Sequence, residues 1–167
     1  MNDEYYKKEY EALHAKGYFN GKSCLLHKEG MYKTVKKTNS QTLLDYGSGK
    51  GHQYSVHNLD KYWGVVVDCY DPYVKEFSIL PDKKYDGVVC TDVLEHIPED
   101  QLDELISTIF SKATKFVYFC VCTRPASKKF SDGSNVHVTI KTPEYWQEKI
   151  SKFNKNNLTV KIKFRTI

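Results

Sequence analysis

The sequence predicts an α/β protein with a doubly wound, mainly parallel sheet of about five strands, and three observations carry that prediction. Short apolar runs alternate with segments of helical period, as in folds that cover both faces of a parallel sheet with helices. The runs lack polar/apolar alternation, which suits strands buried on both sides. The first run ends in a glycine-rich turn, the usual entry to a helix beneath a bound ligand.

The elements follow in order. Tyr5, Tyr6, Tyr10 and Leu13 recur near helical spacing over residues 3 to 16, and Gly17 follows as a stop. Residues 17 to 39 are irregular and basic, with Leu25, Leu26, Met31, Tyr32 and Val35 forming a second short helix. Residues 1–40 are therefore expected to be a helical cover on a core of residues 41–167, the whole being one domain. Thr42 to Tyr46 reads as the first strand, Tyr62 to Val67 as the second, Tyr85 to Cys90 as the third and Phe116 to Cys122 as the fourth. A helix over residues 99 to 112 separates the last two. After a polar loop, Thr142-Pro143-Glu144 opens a helix reaching about Phe153, and Leu158 to Ile162 supplies a fifth strand.

Composition narrows the function classes. No apolar run in the 167 residues approaches the roughly 18 needed to span a bilayer. The first residues lack the basic-then-apolar order of a signal peptide, so the expected location is the cytoplasm. Five cysteines form an odd, scattered set without a Cys-x-x-Cys pair, which argues against a disulfide framework. Cys120 and Cys122 share one strand face and are expected to pack as small hydrophobes. The formal charge of +4 is modest, and the clusters at Lys33, Lys36 and Lys37, at Lys128 and Lys129, and at Lys161, Lys163 and Arg165 read first as solvated faces.

The chemistry is expected in the loops after the strands, at their carboxyl ends beside the topological switch. Asp45-Tyr46-Gly47-Ser48-Gly49-Lys50-Gly51 lets the backbone approach a ligand closely. Its glycines recur at every second position instead of the dinucleotide spacing, which disfavours NAD. A ribose-binding acid is expected about 20 residues on, and both Asp71 and Asp68 qualify. Gly17 to Ser23 ends like a phosphate-binding loop but is one residue short and follows a helix.

Asp45-x-Gly47-x-Gly49-x-Gly51, followed by Tyr85-Asp86-Gly87-Val88-Val89-Cys90-Thr91-Asp92-Val93-Leu94-Glu95-His96-Ile97, resembles the paired motifs of class I S-adenosylmethionine (SAM)-dependent methyltransferases, over residues 40 to 165. The resemblance implies a Rossmann-like core, truncated after its fifth strand. It also implies that SAM contacts Asp45, Tyr46, Gly47, Ser48, Gly49, Asp71 and Asp92. With so short a sheet, substrate-binding pieces are expected from the first 40 residues, from residues 123 to 141, or from a partner subunit, a homodimer being one form.

Asp92, Glu95 and His96 stand at helical i, i+3 and i+4, and His137 lies in a loop that should return to the same end of the sheet. Two carboxylates and two imidazoles suit a divalent metal such as Mg²⁺, Mn²⁺ or Fe²⁺. This layout is similar to the metal-dependent methyltransferases of the 3′-terminal ribose of small RNAs. The words Val93-Leu94-Glu95-His96 are similar to ubiquinone-biosynthesis O-methyltransferases. Both resemblances imply methylation of an oxygen, on a small molecule or an RNA-terminal ribose, and His137 and His96 are the expected catalytic residues. The opposing expectations are that Asp92 caps a helix and His96 is a buried structural imidazole, or that His137 is a base without metal. A SAM-binding module without activity, serving a partner as activator or sensor, is the alternative function.

Overall fold

The computed structural model describes residues 3–166. Five strands run in the order β2-β1-β3-β4-β5: β1 Thr42–Tyr46, β2 Val66–Tyr70, β3 Tyr85–Thr91, β4 Ala113–Cys122 and β5 Thr159–Arg165. Every pairing is parallel. The chain leaves β1 to one side and returns to β3 on the other, so the carboxyl ends of β1 and β3 flank the switch where such sheets bind ligands.

Side-chain alternation builds a core on each face. Leu43, Val89, Phe116 and Tyr118 pack with Met31 and Val35 of α2 (Lys28–Thr38) and Trp63. Leu44, Val88, Val117 and Phe119 pack on the opposite face with Ile106 of α5 (Leu102–Lys112) and with Trp146 and Ile150 of α6 (Pro143–Ser151). Thr142 caps α6 by accepting from the Tyr145 amide, and Pro143 opens the helix, as the sequence predicts.

Two elements differ from expectation. Tyr62 and Trp63 do not begin the second strand; they end the short helix α4 (Leu59–Trp63), which follows α3 (His52–Ser55). Burial decides this, because Trp63 is fully enclosed and its indole N–H donates to the Lys28 carbonyl at 3.0 Å, an anchor that an exposed edge strand could not supply. The strand starts at Val66 and reaches Tyr70 instead. Asp92, Glu95 and His96 also share no helix face. Asp92 has a left-handed φ of 55°, and only Leu94–His96 forms a single 3-10 turn.

Helix α1 (Asp3–Ala15) covers the carboxyl ends of the strands, where Tyr10 and Leu13 pack against Phe130 and Val136 of the loop after β4. No helix among the described residues is long and apolar enough to cross a membrane.

Candidate active site

The glycine loop leaves β1 and is pinned from both sides. The amides of Gly47 and Ser48 donate to the Tyr70 carbonyl at 2.7 and 3.0 Å, tying the loop to the end of β2. The amides of Lys50, His52 and Gln53 donate to the carbonyls of Phe19, Asn20 and Gly21, tying it to the cover. Space is the reason for glycine here: a Cβ on Gly47 would sit 2.3 Å from a Val93 methyl, and one on Gly49 2.2 Å from the Phe19 carbonyl oxygen.

Asp45 lies behind the loop and does not line the cavity in front of it. Its Oδ2 accepts from Gln53 Nε2 and from the Tyr54 hydroxyl, while Oδ1 has no partner. Burial pushes this carboxyl up to about 7. Its part is to hold α3 against β1. Ser48 is likewise buried beneath the loop.

In front of the loop is a cavity of about 170 Å³ whose wall includes Tyr46, Gly47, Gly49, Asp71, Asp92 and His96. Asp71 Oδ2 accepts from the Gly49 amide at 2.9 Å and Oδ1 from the Tyr73 amide at 3.0 Å. A carboxylate has about four lone-pair sites, so two amides leave capacity for ligand hydroxyls. Asp68 is elsewhere, at the outer edge of the sheet, paired with Lys83 at 2.7 Å and with the Tyr85 hydroxyl. Of the two acids the sequence leaves open, Asp71 is the one in the cavity. Val93, Ile97 and Leu105 add an apolar wall suited to a flat ring.

A second cavity of about 670 Å³ shares Phe19, Gly21, Ser23, Asp92 and His96 with the first and continues to Glu95, Cys122, Arg124, Lys128, His137 and Arg165. All four residues of the predicted second constellation therefore line one space, but they are not equivalent within it. Asp92 Oδ2 accepts from the Ser23 hydroxyl at 2.8 Å and is ion-paired with Arg165. Glu95 is fully buried, with Oε1 accepting from the Cys122 amide at 3.0 Å and Oε2 unpartnered. Burial, with Asp92 nearby, pushes Glu95 up to about 8, so it is a neutral acid at pH 7.

The two imidazoles converge, with ring centroids 4.8 Å apart. His96 Nδ1 lies 2.9 Å from the Val136 carbonyl and His137 Nδ1 lies 2.6 Å from that of Arg124. A carbonyl only accepts, so each Nδ1 carries the proton and each Nε2 is left with a lone pair. Burial lowers both rings, His96 to about 3, the His137 ring adding to the effect. Tyr10 braces His96 by donating to the Val136 and His96 carbonyls at 2.9 Å.

The expected four-residue metal set does not fit this arrangement. Among the described residues, the three metal-capable side chains whose ligand atoms lie within 4.8 Å of one another are Glu95, Cys122 and His137. Asp92 is held by Arg165 and Ser23, and the backbone reversal at Asp92 removes it from the face that the helical spacing assumed. Cys120 and Cys122 are buried, as expected of small hydrophobes. The sequence reading missed the contributions of Ser23, Arg124 and Arg165 to this wall.

A methyltransferase domain model matches residues 22–159. No curated protein matches by sequence. Among solved structures, the DhpI-SAH complex is similar at 15% identity, covering 90% of this chain and 86% of that one with a TM-score of 0.57. A SAM-dependent methyltransferase from Archaeoglobus fulgidus is similar at 19% identity, covering 76% of this chain and 68% of that one with a TM-score of 0.48. The match over most of the chain, on a parallel sheet with a glycine loop and an acid at its switch point, makes this chain a member of the methyltransferase domain family and a class I SAM-dependent methyltransferase.

Proposed function

We propose that the chain methylates a hydroxyl oxygen of a small molecule bound in the second cavity, with His137 as the general base and His96 as its neighbour in the active site. The observation that carries the reading is the pair of neutral imidazoles, each with Nδ1 on a backbone carbonyl and a bare Nε2, in the wall beside the predicted cofactor cavity. Bound SAM supplies an electrophilic methyl group on a sulfonium.

The chain's residues do the rest. Asp71 would hold the ribose hydroxyls, Tyr46, Gly47 and Gly49 would hold the amino-acid part, and Val93, Ile97 and Leu105 would cover the adenine. His137 Nε2 would take the acceptor's proton as the acceptor oxygen bonds to the methyl carbon and the carbon–sulfur bond breaks; the electron pair goes to sulfur, and the positive charge lost there reappears on the imidazole. Proton removal of this kind contributes about 10² to 10⁴ in rate, and alignment of the two partners contributes more. A small molecule is preferred to an RNA-terminal ribose because the second cavity is of metabolite size and is lined along one side by residues from the 17 to 26 stretch of the cover. No step is routed through a metal: the expected set of Asp92, Glu95, His96 and His137 does not gather, and the three side chains that do, Glu95, Cys122 and His137, include only one imidazole.

Transfer of labelled methyl from SAM into pooled phenols, hydroxy acids and nucleosides tests the reading. Wild type should label a hydroxyl in the presence of EDTA, and His137→Gln should lose that transfer while binding SAM as before. Unchanged transfer by His137→Gln would remove the base; EDTA-sensitive transfer would restore a metal. SAM binding with no transfer to any pool would favour a non-catalytic module.

A further inference from the structure

The wall of the second cavity is electrically one-sided. Lys22 comes from the cover, Arg124 and Lys128 from the loop after β4, and Arg165 from the end of β5. The carboxylates facing these four cations are Asp92 and Glu95. Asp92 is committed to Arg165 and Ser23. Glu95 is buried and neutral at pH 7, with one oxygen on a backbone amide. No salt bridge joins Lys22, Arg124 or Lys128 to a carboxylate among the described residues. One carboxylate against four cations leaves this wall strongly positive in a chain whose whole formal charge is only +4.

The cations are also placed. The Lys128 ammonium stands 5.0 Å over the Tyr18 ring and 5.6 Å over the Phe19 ring, which holds it at the cavity. The Arg124 carbonyl receives His137 Nδ1, so the backbone that carries one cation is tied to the proposed base. Arg165 uses Nη1 on Asp92, and a guanidinium has five donors, so others remain for a ligand. Unpaired positive charge around a concave, low-dielectric space concentrates anions there.

We infer that the acceptor is an anionic small molecule, carrying a carboxylate or phosphate gripped by Arg124, Lys128 and Arg165 while its hydroxyl lies at His137. The inference rests on the reading of the second cavity as the acceptor site. Such a grip would orient the hydroxyl, which is the main service this reaction needs from the protein.

Matched acceptors that differ only in the anionic group test it: 3,4-dihydroxybenzoate against its amide, and adenosine monophosphate against adenosine. The anionic member of at least one pair should show a kcat/KM higher by roughly tenfold or more, the scale of hydrogen bonds to charged groups. Arg124→Ala/Lys128→Ala should erase that preference and leave SAM affinity unchanged, both side chains lying outside the cofactor cavity. Phenyl phosphate titrated calorimetrically into wild type and variant gives a readout independent of transfer, with binding expected in wild type and lost in the variant. Equal or better use of the neutral members, or a preference that survives the double substitution, overturns the inference, as does preference for an RNA oligonucleotide over both small pairs. Phenyl phosphate binding without transfer to any hydroxyl would retain the anion site and sink the O-methylation reading; loss of both would sink the anion site.

Discussion

The Gly49 amide donates to Asp71 Oδ2 at 2.9 Å, which joins the loop after β1 to the acid after β2 in one rigid cradle. Asp71→Ala removes the proposed ribose contact together with the partner of the Gly49 and Tyr73 amides. SAM affinity should fall by about 1.5 to 3 kcal/mol, the range for losing hydrogen bonds to a charged group, and the melting temperature should fall with it. Asp68→Ala removes only an edge pair with Lys83 and Tyr85 and should leave calorimetric SAM affinity unchanged. A larger affinity loss at Asp68 would transfer the role.

The second prediction separates collision from backbone strain. Gly17 and Gly49 both have left-handed φ, at 84° and 57°. A Cβ on Gly17 meets nothing within 4 Å, whereas one on Gly49 strikes the Phe19 carbonyl oxygen. Gly17→Ala should cost about 1 to 2 kcal/mol from conformation alone. Gly49→Ala should cost clearly more, because the cover segment must shift. Equal costs by denaturant titration would show that the cover does not press on the loop.

Much of this was legible in the sequence for a simple reason: parallel strands buried on both faces are continuous apolar runs, so Thr42 to Tyr46 and Phe116 to Cys122 stand out. Tyr62 to Val67 misleads because it is equally apolar, yet Gly64 divides a helix end from a strand start, and only the socket around Trp63 decides where. The glycine loop could be placed from spacing, but spacing left Asp68 and Asp71 both open, and only the extent of β2, with Asp68 inside it and Asp71 just beyond, decides between them. Asp92 could not be placed, since its left-handed backbone breaks the i, i+4 spacing that would align it with His96 on a helix. Lys128 and Arg165 were visible in basic clusters on separate segments, and Arg124 stood in none. That Arg165, Arg124 and Lys128 share one wall depends on β5 pairing beside β4, a long-range relation that no local pattern encodes.

Stability should fall as pH rises from about 6.5 to 8, and Glu95 should be the main cause. Its folded value is raised from 4.5 to about 8, so between those values the folded state holds a proton that the unfolded chain releases. Asp45, raised from 3.8 to about 7, acts in the same direction. His96 is lowered from 6.5 to about 3 and acts oppositely, costing stability only as pH falls below 6.5. Glu95→Gln keeps an acceptor for the Cys122 amide but cannot ionise, so its melting temperature should decline less over the upper range. A decline as steep as that of wild type would mean that Glu95 is already ionised in the folded chain.

The last prediction concerns the pH dependence of catalysis. Burial lowers His137 below the ordinary histidine value of 6.5, the Arg124 carbonyl at Nδ1 opposing this only in part, so Nε2 is unprotonated throughout the neutral range. With His137 as base, kcat/KM should be flat above about pH 6.5 and should fall on the acid side with a midpoint below that value. Tyr10 enters through its hydrogen bonds to the Val136 and His96 carbonyls, which set the position of His96 against the base. Tyr10→Phe removes those bonds while keeping the ring in its aromatic cluster. It should lower kcat several-fold and leave the acid midpoint in place, since the proton-accepting atom is untouched. His137→Gln should instead abolish the acid limb together with most of the rate. An acid limb that survives in His137→Gln would assign the titration, and the base, to another group.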